Sequence, residues 1–395
     1  MAEQRLYVFE RDRLVGSFRS RRDREIDFRY ADGYEGVPLS LSLPLAGPHL
    51  AGAAGAYLDN LLPDRQEVRR RWAIERGLID TKPFTLLTAY GEDVAGAMSL
   101  TLDMAMPRRL AEPALVASSD DIAARIATLR RESSSWTDPL LNQRMSLAGA
   151  QGKFSLARIG SRDYWPTFEQ PSTHILKPPA EVHPLIDCLE LDSLSLARSV
   201  GIQSSHAAIE EFKGQSTFVV ERWDRMDRRR LHAEDMAQAL AVPSSDRYGV
   251  PAARILRLLA EYGQSDGFVK QLAFNVALGN TDAHAKNYSV LLNGKKVRLA
   301  PLYDAIPVIL YPQYAPHRYA MSIGKARLPG ELTENNWRLL AEEAGLDGDQ
   351  VCSLAIPIVR QVADQYEDTF GAYLDTHRLK LAQKHVRALK RNLGH

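Results

Sequence analysis

Apolar positions alternate with polar ones in short runs through much of the first half of the chain, and recur three and four residues apart in longer stretches through the second. The first pattern predicts strands and the second helices, because side chains repeat every two residues along a strand and about every 3.6 along a helix. Leu6-Tyr7-Val8-Phe9, polar Glu10 to Arg13 and then Leu14 to Phe18 read as a hairpin, with Val94 to Leu100 as a further strand. Ser118-Ser119-Asp120 offers an N-cap to a helix that carries Ile122, Ile126 and Leu129 on one face. Strands around 154–158, 173–177 and 217–222 alternate with a helical run at 184–200 that Gly201 closes. Helices are expected at His232 to Ala241, Ala252 to Tyr262, Phe268 to Leu278, Asn335 to Ala344 and most of 350–393. Pro107 and Pro113 mark a boundary. The expectation is an α+β chain in three blocks, 1–106, 107–225 and a helical 226–395, with no internal repeat and no low-complexity tract.

Composition narrows the class. A chain of 395 residues with 45% apolar content can bury a sizeable core. Cys188 and Cys352 are its only cysteines, which gives no disulfide framework and points to a reducing compartment. Met1 to Phe9 has no apolar run behind a basic start, and no stretch is long enough to span a bilayer, so a cytoplasmic protein without a membrane partner is expected. A net charge of +1 gives no global reason to bind nucleic acid. Arg19, Arg21, Arg22 and Arg24, the run Arg69-Arg70-Arg71 and the basic tail Arg378 to Arg391 read as solvated faces, with contact to nucleic acid or an acidic partner as the alternative. No zinc spacing of Cys and His is present.

The chemistry concentrates in Gly279-Asn280-Thr281-Asp282-Ala283-His284-Ala285-Lys286-Asn287, where an aspartate and an asparagine stand five positions apart. Protein kinases use this spacing for an aspartate that orients the acceptor hydroxyl and an asparagine that holds magnesium. A capped turn would use the same residues. A second carboxylate is needed beyond a short hairpin. Tyr288 to Leu292, the turn Asn293-Gly294 and Val297 to Leu299 deliver Asp304. Phosphoryl transfer also needs a cation on the nucleotide, and Lys177 supplies one at the end of a run stopped by Pro178 and Pro179. Upstream, Ser146-Leu147-Ala148-Gly149-Ala150-Gln151-Gly152-Lys153 has small residues that let backbone amides approach phosphate, although an ordinary turn reads the same way. It is not a Walker A loop, since two residues separate its glycines and Phe154 follows Lys153.

In this order, SLAGAQGKFSL, THILKPP, VVERWDR, LHAEDMAQAL, GNTDAHAKNYSVL and LAPLYDA resemble the HipA-type serine/threonine kinase toxins of bacterial toxin–antitoxin modules. SLSLPL (40–45), LDNLLPD (58–64) and FTLLTAYGEDVAGA (84–97) resemble that family's small N-terminal subdomain. The resemblance covers nearly the whole chain. It implies a protein-kinase-like two-lobed fold, with a mixed N-lobe at 107–225, an all-helical C-lobe at 226–395 and a small α+β subdomain at 1–106. It implies ATP and Mg2+ as cofactors, Asp282 as the catalytic aspartate with His284 bracing its loop and Lys286 beside it, and Asn287 and Asp304 as magnesium ligands. Lys177 and the segment Ala148, Gly149, Ala150, Gln151, Gly152 and Lys153 would hold the phosphates, and Glu221 to Trp223 would form the hinge beside adenine, with Trp223 where phenylalanine is more usual. Ser146 falls on the loop serine that the family phosphorylates in itself. The implied partners are a helix-turn-helix antitoxin of the HipB type, operator DNA only through that antitoxin, and an aminoacyl-tRNA synthetase as substrate, glutamyl-tRNA synthetase first. Growth arrest or persistence is the implied outcome. A small-molecule phosphotransferase and a catalytically lapsed co-repressor are the alternatives. Glu234 and Asp235 stay open between orienting the site and capping or surface roles.

Overall fold

The computed structural model describes residues 4–20, 25–104, 115–138, 141, 144–180, 182–227 and 229–393. Arg21, Arg22 and Arg24 and the boundary prolines Pro107 and Pro113 lie outside the described residues. Packing divides the chain into two compact units. One comprises Met1–Val182, Ala208–Ser245 and Val290–Lys296, the other His183–Ala207, Asp246–Ser289 and Val297–His395.

In the first unit, β1 (Arg5–Glu10), β2 (Arg13–Ser20), β3 (Ile26–Tyr30) and β4 (Met98–Thr101) form a sheet in the order β3-β2-β1-β4. The predicted hairpin is β1–β2. The expected strand at Val94 begins only at Met98, because Gly96 turns the chain with φ 81°. Alternation sends Leu6, Val8 and Phe18 inward, and Phe18 pairs with Phe28 with ring centroids 4.8 Å apart. Three helices that the sequence pattern left unplaced, α1 (Ala53–Asn60), α2 (Gln66–Glu75) and α3 (Pro83–Tyr90), bury Tyr57, Trp72 and Leu87. Trp72 stacks on Tyr90 at 4.3 Å. The predicted α4 (Ser119–Arg131) is capped by Ser118, whose hydroxyl accepts the Asp121 N–H while the Asp121 carboxylate accepts the Ser118 N–H.

A second sheet has the order β6-β5-β7-β9-β8, from β5 (Phe154–Ile159), β6 (Arg162–Tyr164), β7 (His174–Lys177), β8 (Ala207–Phe212) and β9 (Gln215–Glu221). One apolar cluster joins Leu6, Tyr57, Trp72 and Ile126 to Phe154, Leu176 and Val219, so the small N-terminal part and this sheet share a core. Two-residue strands β10 (Arg225–Met226) and β11 (Arg229–Arg230) follow.

The expected helix at His232 to Ala241 is instead β12 (Ala233–Asp235) running into a single turn, α6 (Met236–Ala239). The backbone of His232 is taken into a ladder by the Leu292 N–H at 2.9 Å, and Asp235 starts the helix by accepting the Gln238 N–H at 2.8 Å. Local helical spacing lost here to tertiary pairing.

The second unit is built on α10 (Gly348–Phe370), which packs on α5 (Ile186–Ser199), α8 (Ser265–Leu278), α9 (Glu334–Ala344) and α11 (Thr376–Asn392), with α7 (Ala252–Ala260) on α8 and α9. The helix α5 thus packs with the helical unit, whereas the sequence blocks group it with the mixed sheet. The hairpin β13 (Ser289–Asn293) and β14 (Lys296–Leu299) falls where the turn Asn293-Gly294 predicts it. Among the described residues no helix is long and apolar enough to cross a membrane.

The arginine run is only in part the solvated face expected: Arg70 is exposed, but its neighbours are engaged. Arg69 is buried, donating to Asp59 at 2.7 Å and to the Pro63 carbonyl at 2.6 Å, and Arg71 lies between Glu75 and Glu132. These guanidiniums hold α2 to its neighbours and are already used. In the basic tail, Arg378 and Lys390 pair with Asp375 and Asp364.

Candidate functional site

In the first unit the small-residue loop opens the strand β5. Phe154 pairs with Leu176, the residue before Lys177, so the loop 146–153 and Lys177 stand at the same end of the sheet. Lys177 is buried, with its ammonium 5.6 Å from the Phe218 ring centroid. The loop is pinned by the segment that follows α1. The Ser146 hydroxyl donates to the Leu61 carbonyl at 2.7 Å, and the Asp64 N–H donates to the Gly149 carbonyl at 2.9 Å. Gly149 has φ 105°, and a Cβ there would come within 2.6 Å of the Lys153 ammonium. Lys153 closes the turn by donating to the Ala148 carbonyl at 2.8 Å, beside the Trp136 ring at 5.3 Å. Ala150 is exposed while Ala148, Gly149, Gln151 and Gly152 are half-buried. Ser146 is 1% exposed, so its hydroxyl is out of reach of solvent while the loop holds this position.

Glu221 ends β9 exposed and Trp223 is half-buried. Between and after them sit the residues that the segment Val219 to Arg225 contributes to stability. Arg222 grips the Asp224 carboxylate with Nε at 2.9 Å and Nη2 at 2.8 Å, and Asp224 accepts the Gly96 N–H at 2.8 Å. Asp93 accepts from the Ser172 N–H at 2.9 Å, the Ser172 hydroxyl at 2.6 Å and Arg225 at 2.8 Å, with Arg230 at 3.5 Å. Burial alone would raise the pKa of both carboxyls. Arg230, Arg225 and Arg222 outweigh it and hold Asp93 well below the usual carboxylate range, while Arg222 and Arg225 bring Asp224 down to about 2.

Glu234 is fully enclosed. Its carboxyl meets the Ser40 hydroxyl and accepts the Leu41 N–H at 2.8 Å, which ties SLSLPL to β12. Burial pushes it up to about 8 against those two hydrogen bonds. Of the roles left open, Asp235 takes the capping one and Glu234 an internal one.

In the second unit α8 ends at Gly279, whose φ of 77° suits glycine and where a Cβ would meet Ile309 at 2.5 Å. The last carbonyls of α8 are satisfied from outside: His385 bonds the Ala277 carbonyl at 2.8 Å and Tyr366 donates to Leu278 at 3.0 Å. The loop that follows is shaped by its own amides. Asn280 donates to the Asn275 side chain at 2.9 Å, and Asn275 to the Tyr288 hydroxyl at 3.1 Å. Asp282 is exposed and accepts the Tyr248 hydroxyl at 2.5 Å. His284 and Lys286 are buried; His284 gives its N–H to the Asn287 side-chain oxygen at 3.2 Å and meets the Tyr248 ring edge-on at 4.9 Å. The Asn287 amide nitrogen donates to Asp304 Oδ2 at 2.9 Å. Asp304 has φ 55°, a left-handed conformation rare for a non-glycine residue, which aims its carboxylate at Asn287. Tyr303 braces the arrangement, donating to the Lys286 carbonyl at 2.7 Å and sharing a 2.6 Å hydrogen bond with Ser289.

The structure therefore gathers the sequence-predicted residues into two sets. Ser146, the loop 148–153, Lys177, Glu221 and Trp223 belong to the first unit, and Asp282, His284, Lys286, Asn287 and Asp304 to the second. Among the described residues no group of three or more His, Cys, Asp or Glu side chains could hold a metal. The pair Asn287 and Asp304 still suits magnesium, which binds through one or two protein oxygens and completes its shell with phosphates and water. Tyr248 escaped sequence reading, because nothing local links it to Asp282.

Residues 145–369 match the HipA-like C-terminal domain, and residues 6–101 match the HipA N-terminal domain. A putative kinase of Sinorhizobium fredii, Y4mE, is 31% identical over 95% of this chain and 94% of its own length. The serine/threonine-protein kinase toxin HipA of Shewanella oneidensis is 25% identical over 89% of this chain and 88% of its own. A solved structure of the Shewanella oneidensis HipA, HipB and operator DNA complex contains a chain that superposes with TM-score 0.78 at 23% identity, covering 98% of this chain and 96% of that one, which gives the fold. With matched domains at both ends and relatives along nearly its whole length, the chain belongs to the HipA kinase family.

Proposed function

We propose that this chain is an ATP- and magnesium-dependent serine/threonine-protein kinase toxin that transfers the γ-phosphoryl group to a protein hydroxyl. The observation that carries the reading is the Asn287–Asp304 hydrogen bond of 2.9 Å, beside an exposed Asp282 on the same loop system. That is a metal-binding pair and an orienting carboxylate in the order phosphoryl transfer uses. Asp282 accepts the hydrogen of the acceptor hydroxyl. Lys177 and the backbone amides of 148–153 bind the phosphates, and Glu221 to Trp223 bind the base. Asn287 and Asp304 would hold magnesium, which when bound offsets the negative charge of the phosphates. The buried Ser146 is the self-limiting acceptor: modification adds about two negative charges to a hydroxyl now bonded to Leu61, so the loop is expelled from its seat.

The partner of this reading is a helix-turn-helix antitoxin of the HipB type, with operator DNA bound through it, and the substrate class is an aminoacyl-tRNA synthetase, glutamyl-tRNA synthetase first. The Shewanella relative, whose solved complex contains HipB and operator DNA, supports the partner. Expression of the chain alone is expected to arrest bacterial growth, and co-expression of the helix-turn-helix neighbour to relieve it. Incubation of the purified protein with labelled ATP and a panel of aminoacyl-tRNA synthetases tests the substrate, with labelled aminoglycosides and lipids as the small-molecule alternative. Equal arrest by Asp282→Asn would transfer the toxicity from catalysis to binding and sink the kinase-toxin reading.

A further inference from the structure

A carboxylate that orients an acceptor does so by taking one hydrogen bond from the incoming hydroxyl. Asp282 already has such a bond, from the phenol of Tyr248 at 2.5 Å. The loop does not need Tyr248 for its shape. The Asp282 N–H is held by the Asn280 side chain at 3.3 Å, and the Asp282 carbonyl accepts the His284 N–H at 2.7 Å. Tyr248 comes from a separate short 3-10 helix, Ser244–Gly249, and reaches the exposed carboxylate with 47% of its own surface exposed. Its ring is steadied edge-on to His284 at 4.9 Å, and the Arg247 guanidinium lies 4.7 Å from its centroid. The hydroxyl thus makes to Asp282 Oδ1 the kind of hydrogen bond that an acceptor hydroxyl would make, held by contacts that an incoming chain can replace.

Water is the competitor that any kinase faces. It is small and abundant, and it needs the same carboxylate to become a nucleophile. We propose that Tyr248 is a specificity-determining residue: its phenol occupies the acceptor position on Asp282 and shields it from water, so that only a hydroxyl presented by a docked protein displaces it. The proposal rests on the reading of Asp282 as the orienting carboxylate. In the suppressed side reaction, a water oxygen bonds to the γ-phosphorus, the bond from that phosphorus to the β–γ bridging oxygen breaks, ADP leaves, and the water proton passes to Asp282. A docked protein overcomes the shield with binding energy that water does not have.

The test measures phosphate release from magnesium-ATP by the purified full chain with no protein acceptor, in wild type, Tyr248→Phe, Asp282→Asn and the double variant. Phenylalanine keeps the ring against His284 and removes only the hydroxyl. Loss of a hydrogen bond to a charged group sets the scale, so Tyr248→Phe is expected to release phosphate about tenfold faster with an unchanged KM for ATP. The double variant is expected to fall back to the Asp282→Asn level. Unchanged or slower release in Tyr248→Phe overturns the shield, the slower result making Tyr248 a positioning residue for Asp282. Phosphate found on Tyr248 by peptide mapping also overturns it, because the residue is then an acceptor. If Asp282→Asn releases phosphate as wild type does, the failure lies in the reading of Asp282 itself.

Discussion

The two units hold their functional residues by opposite means. In the first unit, position is enforced by buried polar groups from distant parts of the chain: the charges of Asp93, Arg222, Asp224, Arg225 and Arg230 make one network, and the Glu234 carboxyl, which burial favours in its neutral form, grips Ser40 and Leu41. In the second unit, Asp282 and its neighbours are placed by local turn chemistry on the end of a helix, with side-chain amides bonding within a few residues and a left-handed Asp304. The first device is costly to desolvate and fails when one partner is lost. The second leaves the Asp282 carboxylate exposed and tolerant of change. Stability should therefore be concentrated in the first set, and chemistry in the second.

The largest break in that comparison comes from Asp93→Ala. It leaves Arg225 and Arg230 buried with one carboxylate fewer, and removing one member of a buried ion pair typically costs about 3–5 kcal/mol. Urea unfolding followed by tryptophan fluorescence is suited to it, since Trp72, Trp136, Trp165 and Trp223 all lie in the first unit. A midpoint equal to wild type would show that the network is not structural. Asp304→Ala sharpens the other side. Loss of one group that stabilises the transition state should lower phosphoryl transfer at least ~10²-fold, while the urea midpoint stays near wild type. A variant that transfers phosphate normally removes Asp304 from the metal pair.

A smaller effect tests the junction of the two devices. Ser146→Asp puts a charge where a neutral hydroxyl donates to Leu61, so the loop is expected to leave its seat and nucleotide affinity to fall by roughly tenfold. Fluorescent ATP-analogue titration measures it, and full affinity in Ser146→Asp would show that a charge at this position does not disturb the nucleotide loop.

The same contrast explains what the sequence made legible. The spacing of Asp282 and Asn287, the turn Asn293-Gly294 and the delivery of Asp304 are local, so residue types alone predicted an arrangement that the structure then brought to a 2.9 Å hydrogen bond. The Ser118 cap was legible for the same reason. His232 to Ala241 misled because its apolar spacing is helical, while its fate is set by Glu234 reaching a serine 194 residues away. Arg69 looked like one of three equivalent surface charges, and only the fold reveals that Asp59 and the Pro63 carbonyl enclose it. Tyr248 left no trace, since its partner lies 34 residues on and no spacing rule connects them.

The finest test of the comparison uses pH. Glu234 titrates at about 8 in the folded protein against an ordinary 4.5, because burial penalises its charged form. Between those values the folded state holds a proton that the unfolded state has lost, so this group's contribution is fully present below 4.5 and is lost as pH rises to about 8. His232 and His385, brought down to about 4 by burial, act in the opposite sense: the unfolded chain takes up their protons below about 6.5, and stability falls as pH falls through that window. Above 6.5 the histidines are silent and Glu234 alone should set the slope among these three. Glu234→Gln keeps a hydrogen-bonding side chain for the Ser40 hydroxyl and the Leu41 N–H without a charge to desolvate. It is expected to abolish the wild-type decline between pH 6.5 and 8, which amounts to at most about 2 kcal/mol. Urea midpoints at pH 6.5 and 8 provide the check. A wild-type midpoint that is flat across that interval, or a Gln variant that declines as steeply, would mean that Glu234 is already ionised in its enclosure. The polar latch to Ser40 would then be an ionic one, and the first unit would carry one more buried charge than its hydrogen bonds suggest.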